Sequence, residues 1–198
     1  MSNCSGIFQG GIIDCDVPLA VGVRQRVLLA NKEDIAAVTF SVVPGEENVV
    51  DTITMKSLTA FYEFEGVNES ISAQTDLVRQ AVSNGYDHTV NLSVFEVDNV
   101  SRLNLQGMAY KKQVAIVQGS GNDNSYGNAK YTIYGLDSGL DLQTNVRILA
   151  DAATGGAYSL VLKTSDTGGK EGALPYPFFL TSYTVTDAAV EALLIPAI

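Results

Sequence analysis

His88 is the only histidine in the chain, so any Ser-His-Asp triad, zinc site or histidine acid–base chemistry must run through it. Asp87 precedes it, and an Asp-His pair orients an imidazole. No Ser or Cys nucleophile motif accompanies the pair, so His88 reads as a structural or interfacial residue. Glu63 and Glu65 form the second candidate, because alternate positions of an extended strand project from one face. Two carboxylates there suit acid–base work, but they suit a solvated or lumenal wall better, and the wall is the reading adopted. The loop Gly119-Ser-Gly-Asn-Asp-Asn-Ser-Tyr-Gly127 has the glycines of a phosphate cradle. It lacks the Gly-Lys-Ser/Thr ending and a following long helix. As a calcium loop it lacks a bidentate Glu and offers Asp123 as a thin ligand set. It reads as a hairpin tip, and Gly155-Gly156 and Gly168-Gly169 read as turns. Cys4 and Cys15 have no metal-ligand spacing and are expected as free thiols. No catalytic residue, metal or cofactor is expected, and the chain is not read as an enzyme.

The remaining charges are scattered. Lys111-Lys112 and the arginines at 24, 26, 79, 102 and 147 form no basic patch, and local solvation or salt bridges across subunits are their expected roles. The formal net charge is −10, with 22 acidic against 12 basic residues. That balance excludes wrapping DNA through clustered phosphate contacts. It is compatible with simple solubility, or with a wall past which DNA slides. Charged residues are only 17% of the chain, which fits a surface partly covered in an assembly. Tyr62, Tyr131, Tyr134, Tyr158, Tyr176 and Phe178 could line a carbohydrate groove, but aromatics in strands more commonly pack a core.

The elements that position these residues read as mostly β. A chain of 198 residues suffices for one β-sandwich or barrel domain. Residues 1–18 form an irregular, Gly-rich lead, and 19–198 form a single β-sandwich domain with a short C-terminal helix. No secretory signal, transmembrane stretch or membrane association is expected, and synthesis in a cytoplasm is. Strands are expected at Arg24–Leu29, Ile35–Val43, Val49–Ile53 and Leu58–Glu65, the last with Phe61, Glu63 and Glu65 on one face and Ala60, Tyr62 and Phe64 on the other. Val67–Tyr86 is ambiguous. Asp76–Val82 suits a helix, while Ile71, Ala73 and Thr75 suit a polar strand in an extended arm or long hairpin. His88–Val97 is a strand. Asp98 or Asn99 then caps a short helix carrying Val100, Leu103 and Leu105. Val114–Val117 and Tyr131–Tyr134 are further strands. Leu140–Leu149, with Leu140, Leu142, Val146 and Ile148 alternating, forms a hairpin with Ala157–Leu162. A last strand at Leu180–Val185 precedes a helix capped by Thr186 or Asp187 and carrying Val190, Leu193 and Leu194.

The order Tyr62-Glu-Phe-Glu-Gly66, His88-Thr-Val-Asn-Leu-Ser-Val-Phe95, Val114-Ala-Ile-Val117, Tyr131-Thr-Ile-Tyr134 and Gly156-Ala-Tyr-Ser-Leu-Val-Leu-Lys163 resembles bacteriophage tail tube (major tail) proteins, particularly those of phages infecting Bacteroidetes-type bacteria. The resemblance covers the chain after about Leu19. It implies a β-sandwich closing toward a barrel, a short flanking helix and an arm or long hairpin. It further implies hexameric rings, stacked into a virion tail tube with an electronegative lumen through which DNA passes without specific binding. The partners would be further copies of the chain and other tail or connector proteins, in a virion made in a host bacterial cytoplasm. Glu63 and Glu65 would face the lumen. The helix from Asp98 to Gly107, with Val100 and Leu103, would be the flank helix, and Val67–Gly85 would be the arm. The composition also accommodates a connector ring or a capsid decoration protein. A carbohydrate-binding β-sandwich would instead show a concave aromatic groove, and a hydrolase would show a pocket converging on His88 or on paired carboxylates.

Overall fold

A computed structural model describes residues 23–66, 70–79, 84–94, 99–119, 130–149, 156–165 and 169–196. The expected lead at 1–18, both cysteines, Asp98 and the loop residues 120–128 lie outside the described residues. The chain is mostly β, as its alternating apolar runs demand. Its strands are β1 (Val23–Asn31), β2 (Ile35–Phe40), β3 (Val50–Met55), β4 (Tyr62–Glu65), β5 (Ser72–Arg79), β6 (Asn84–Val94), β7 (Gln113–Gly119), β8 (Tyr131–Tyr134), β9 (Leu140–Arg147), β10 (Tyr158–Thr164) and β11 (Tyr176–Phe178). The helices are α1 (Asn99–Met108) and α2 (Tyr183–Ala192).

β7 is the hub. It pairs antiparallel with β1 on one side and β8 on the other, and at its start with β9 through Gln113 and Leu140 alone. Beyond β8 the sheet continues through β11, β3 and β2, and beyond β1 it ends at β4. Beyond β9 it continues through β10, β6 and β5. The chain leaving β8 turns a corner at residues 135–139 and enters the second group of strands as β9, which is how a strand switches layers in a folded sheet.

Burial shows the result of that turn. Val27 and Leu29 of β1, and Ala115 and Val117 of β7, share one core with Val90, Leu92, Leu160 and Leu162 from the β6–β10 layer and with Leu105 and Met108 of α1. The intervening residues Leu28, Ala30, Val114 and Ile116 face a second core with Val50, Ile53, Phe61, Ile133, Phe178, Val190 and Leu193, under α2. β1 and β7 are therefore buried on both faces, which is why they read as continuous apolar runs.

The structure places several elements differently from the sequence reading. Ser72–Arg79 is strand, so the described part of the expected Asp76–Val82 helix, through Arg79, is not helical. β5 pairs with β6 over eight consecutive residues, the long hairpin of the two alternatives. The strand expected from Leu58 begins only at Tyr62, because Leu58 sits in a turn with φ +62°. Residues 180–182 are not strand, and the last strand is the earlier Tyr176–Phe178. Helix α2 starts before both expected caps: Ser182 is its N-cap and its side chain accepts from the Val185 N–H. Thr186 lies inside the helix, and its hydroxyl donates to the Ser182 carbonyl and accepts from the Leu180 N–H. In α1 the inward residues are Leu105 and Met108, while Val100 and Leu103 are 63% and 59% exposed. Two positions of helix rotate about 200° at the 3.6-residue period, so Leu103 and Leu105 cannot share a face. Finally, β9 is bulged. Val161 and Leu162 of β10 face Thr144 and Leu142, leaving Gln143 extra. The bulge reverses the alternation beyond it, so Val146 is 47% exposed instead of continuing the Leu142 face.

Two left-handed glycines separate backbone strain from crowding. Gly135 has φ +75°, and a Cβ there meets Leu140 Cγ at 2.5 Å and the Gln113 carbonyl oxygen at 3.0 Å. Gly45 has φ +90° with nothing within 4 Å. Gly135→Ala is expected to lower unfolding stability by roughly 2–4 kcal/mol and Gly45→Ala by about 1 kcal/mol. Denaturant titration of both variants measures the difference.

Candidate assembly surface

The described strands leave three edges that no further described strand covers. β2 pairs only with β3, β4 only with β1, and β5 only with β6. An uncovered edge presents unpaired N–H and C=O groups and acts as a template for another strand. The three edges are not equivalent. β5 is the longest regular one, in unbroken register with β6, and Leu77 on it is 52% exposed. β2 is interrupted twice, between Ile35 and Ala37 and between Thr39 and Phe40. β4 is four residues long.

Beside β4 runs an apolar groove of about 430 Å³ between that strand and α1. Tyr62, Leu103 and Tyr110 line it and are exposed, and Met108 lies beneath. Leu103 thus contributes to a groove wall rather than to the core, and Val100 is an exposed residue of the same helix.

Glu63 and Glu65 do share a face, as strand alternation requires. It is the face on the α2 side, since Glu65 lies opposite Arg26, and Glu63 opposite Leu28, across the β1–β4 ladder. Glu63 forms an ion pair with Arg26, whose guanidinium also donates to Glu191 of α2 at 2.7 Å. The Glu191 bond, opposed by partial burial and joined by Glu63, raises the Arg26 pKa above its ordinary value. The carboxylate of Glu63 is therefore charge-compensated, while Glu65 is exposed.

His88 is fully buried at the corner. Its Nδ1 accepts the Gly135 N–H at 3.2 Å and its Nε2 faces the Ala173 carbonyl at 3.2 Å, which assigns a neutral ring protonated at Nε2. The Tyr134 ring meets it edge-on. Burial lowers its pKa to about 4, against the raising influence of the Ala173 carbonyl, Asp137 and Asp87. Asp87 does not touch the imidazole as a triad acid would. It pairs with Lys170 at 2.6 Å and Lys163 at 3.4 Å. The arrangement holds a corner. Sequence reasoning missed Glu171, which is fully buried and accepts the backbone N–H groups of Asp137 and Ser138 at 2.8 and 2.9 Å. Burial raises the Glu171 pKa, partly offset by those two N–H groups. It looks in sequence like any acid of a polar loop, so no local signal marks it.

Of the aromatic residues weighed for a sugar groove, Tyr62 is exposed in the groove beside β4 and the others lie at the cores. Tyr131 and Phe178 are buried under α2, and Tyr134 and Tyr158 flank the other core. Tyr176 binds the Asp137 carboxylate, and burial with that charge pushes its hydroxyl up to about 12. Among the described residues, no group of three or more His, Cys, Asp or Glu side chains is placed to hold a metal ion. Among them, too, no helix is long and apolar enough to cross a membrane.

Because His88 is the sole histidine, its titration is readable without assignment ambiguity. Its imidazole carbon resonances are expected to show a neutral ring down to pH 5, with a midpoint near 4. The unfolded chain protonates this residue below about pH 6.5, so acidification from 6.5 to 4 favours unfolding. The expected loss is about 3 kcal/mol from this group. Glu171 opposes it, because its raised pKa lets the folded chain take up a proton before the unfolded one does. A midpoint above 6 would show the ring exposed and the corner open.

No family model, curated protein or solved structure matches this chain.

Proposed function

We propose that this chain is a structural subunit of a phage tail tube, assembling with copies of itself into rings that stack around a lumen for DNA passage. The observation that supports it most is the unbroken β5 edge, which no further described strand covers, on a sheet whose β2 and β4 ends are likewise uncovered by described strands. Joining edges between subunits satisfies the backbone donors left open in one copy and builds a continuous wall from small β-domains. The exposed Tyr62, Leu103 and Tyr110 beside β4 supply apolar area for such a joint. A net charge of −10 suits a wall that phosphates slide past. Glu65 remains a candidate for that wall, whereas the ion pair with Arg26 offsets the charge of Glu63. In this reading Val67–Gly85, which contains β5 and the first two residues of β6, is the arm, α1 is the flank helix, and the partners are further copies of the chain and other tail or connector proteins in the virion.

Negative-stain microscopy over a range of protein concentrations tests the reading. Hollow rings or stacked tubes, with a lumen wide enough for duplex DNA, are the expected outcome. Leu77→Lys on the β5 edge is expected to abolish them while changing monomer stability by less than about 1 kcal/mol. Monomers at every concentration, together with binding to a glycan array, would replace the tube by a carbohydrate-binding module.

A further inference from the structure

β6 changes partners along one flank. Its residues Thr89–Val94 pair with β10, and Asn84–His88 run on past the end of that ladder. There a strap of residues 169–173 takes over. Tyr86 and Glu171 exchange both backbone N–H···O bonds, at 2.9 and 3.1 Å. Lys170 lies so close above the strand that a Cβ on Gly85 would stand 2.5 Å from the Lys170 Cβ. The strap thus covers a stretch of strand edge that would otherwise present unpaired groups. It contributes no residue to either hydrophobic core.

The bonds that hold the strap down converge on the turn at 135–139. Glu171 accepts the Asp137 and Ser138 N–H groups. The Asp137 carboxylate answers by accepting the Gly172 N–H at 3.1 Å, and the Ser138 hydroxyl donates to the Lys170 carbonyl at 2.8 Å. His88 stands where the β10 ladder ends and the strap begins. Its backbone N–H donates to the Thr164 hydroxyl at 3.0 Å. Its ring accepts from Gly135 of the turn and donates to the Ala173 carbonyl of the strap. This bridge needs one acceptor and one donor nitrogen, which only the neutral imidazole has. Protonation would set an Nδ1–H against the Gly135 N–H and place a charge in a fully buried position.

The charges around the ring do not undo this. Asp87 beside it on β6 and Asp137 of the turn favour the imidazolium, but burial outweighs them and the pKa falls to about 4. Asp87 is itself held by Lys170 and Lys163. Thr75, opposite on β5, and the Tyr134 ring are uncharged neighbours. Glu171 is faced by Asp137 and Lys32. A histidine released to water titrates near 6.5.

We propose that the 169–173 strap is an acid-released cover on the β6 edge, with His88 as its latch. Between pH 6.5 and 4 the ring is neutral while the strap is down and takes up a proton when it lifts, so acid favours the lifted form. Glu171 acts in the opposite direction, because its raised pKa lets the closed form take up a proton first. Lifting bares the backbone of residues 85–87 as a short strand edge while both cores stay closed.

Hydrogen exchange of the full chain at pH 7 and pH 5, read by NMR as protection factors, tests this. The Tyr86, Glu171 and Gly172 amides report on the strap, and amides of the β1–β7 ladder report on global unfolding. At pH 7 the strap amides are expected to open about a hundredfold more readily than the ladder, or more. From pH 7 to pH 5 their opening is expected to rise about twentyfold more in wild type than in His88→Gln, a comparison in which the Glu171 contribution cancels. His88→Asn, which keeps a carbonyl near the Nδ1 position, serves where His88→Gln does not fold. Strap amides as protected as the ladder would overturn the proposal, since the strap would then move only with global unfolding. An equal pH response in wild type and variant would overturn it too, by removing His88 as the latch.

Discussion

The corner at residues 135–139 is the constraint on which the rest of the molecule depends. The two layers of sheet are joined along the backbone at β7 and β9 by a single residue pair, so side chains must hold the turn between them. Glu171 binds two successive N–H groups of that turn, His88 a third, and the Lys112 ammonium the Ser138 carbonyl. Lys32 donates to the Asp137 carbonyl, and the Asp137 carboxylate in turn accepts from Gly172 and Tyr176. Buried groups of this kind are costly when half satisfied and rigidifying when fully satisfied. Here they fix where the second layer stands over the first, and the core between the layers forms only in that position.

Much of the architecture was legible in residue order. Val114–Val117 and Ala157–Leu162 announce strands because both faces of one, and the inner face of the other, must be apolar. The hairpin between β9 and β10 follows from their proximity in sequence. What escaped was whatever depends on a partner far along the chain. Gln143 carries no mark of a bulge, since a bulge is defined by the strand opposite. Ser182 is hidden as a cap because the aromatic residues before it imitate a strand. Leu103 groups with Leu105 by composition, although helix geometry sets them apart. Glu171 and Asp137, separated by 34 residues, look like ordinary loop acids until the corner brings them together.

The candidate site was legible in part. Alternation correctly put Glu63 and Glu65 on one face, but the compensation of Glu63 arises from Arg26 on a neighbouring strand and from α2 beyond it. The scattered arginines were expected to act locally or across subunits. Arg26 does the first. Arg102 from α1 and Arg147 from the bulged β9 both act on Tyr158 within the chain.

The contrast between the β2 and β5 edges has a kinetic consequence. A strand added to β2 would meet a ladder broken twice, with a run of only three regular positions from Ala37 to Thr39. A strand added to β5 would meet eight in sequence. Since the lifetime of such a contact depends on how many bonds must break together, an encounter at β2 dissociates quickly and one at β5 persists. In the proposed assembly that difference would act as an error filter in the off-rates, discarding mispaired neighbours before they could propagate.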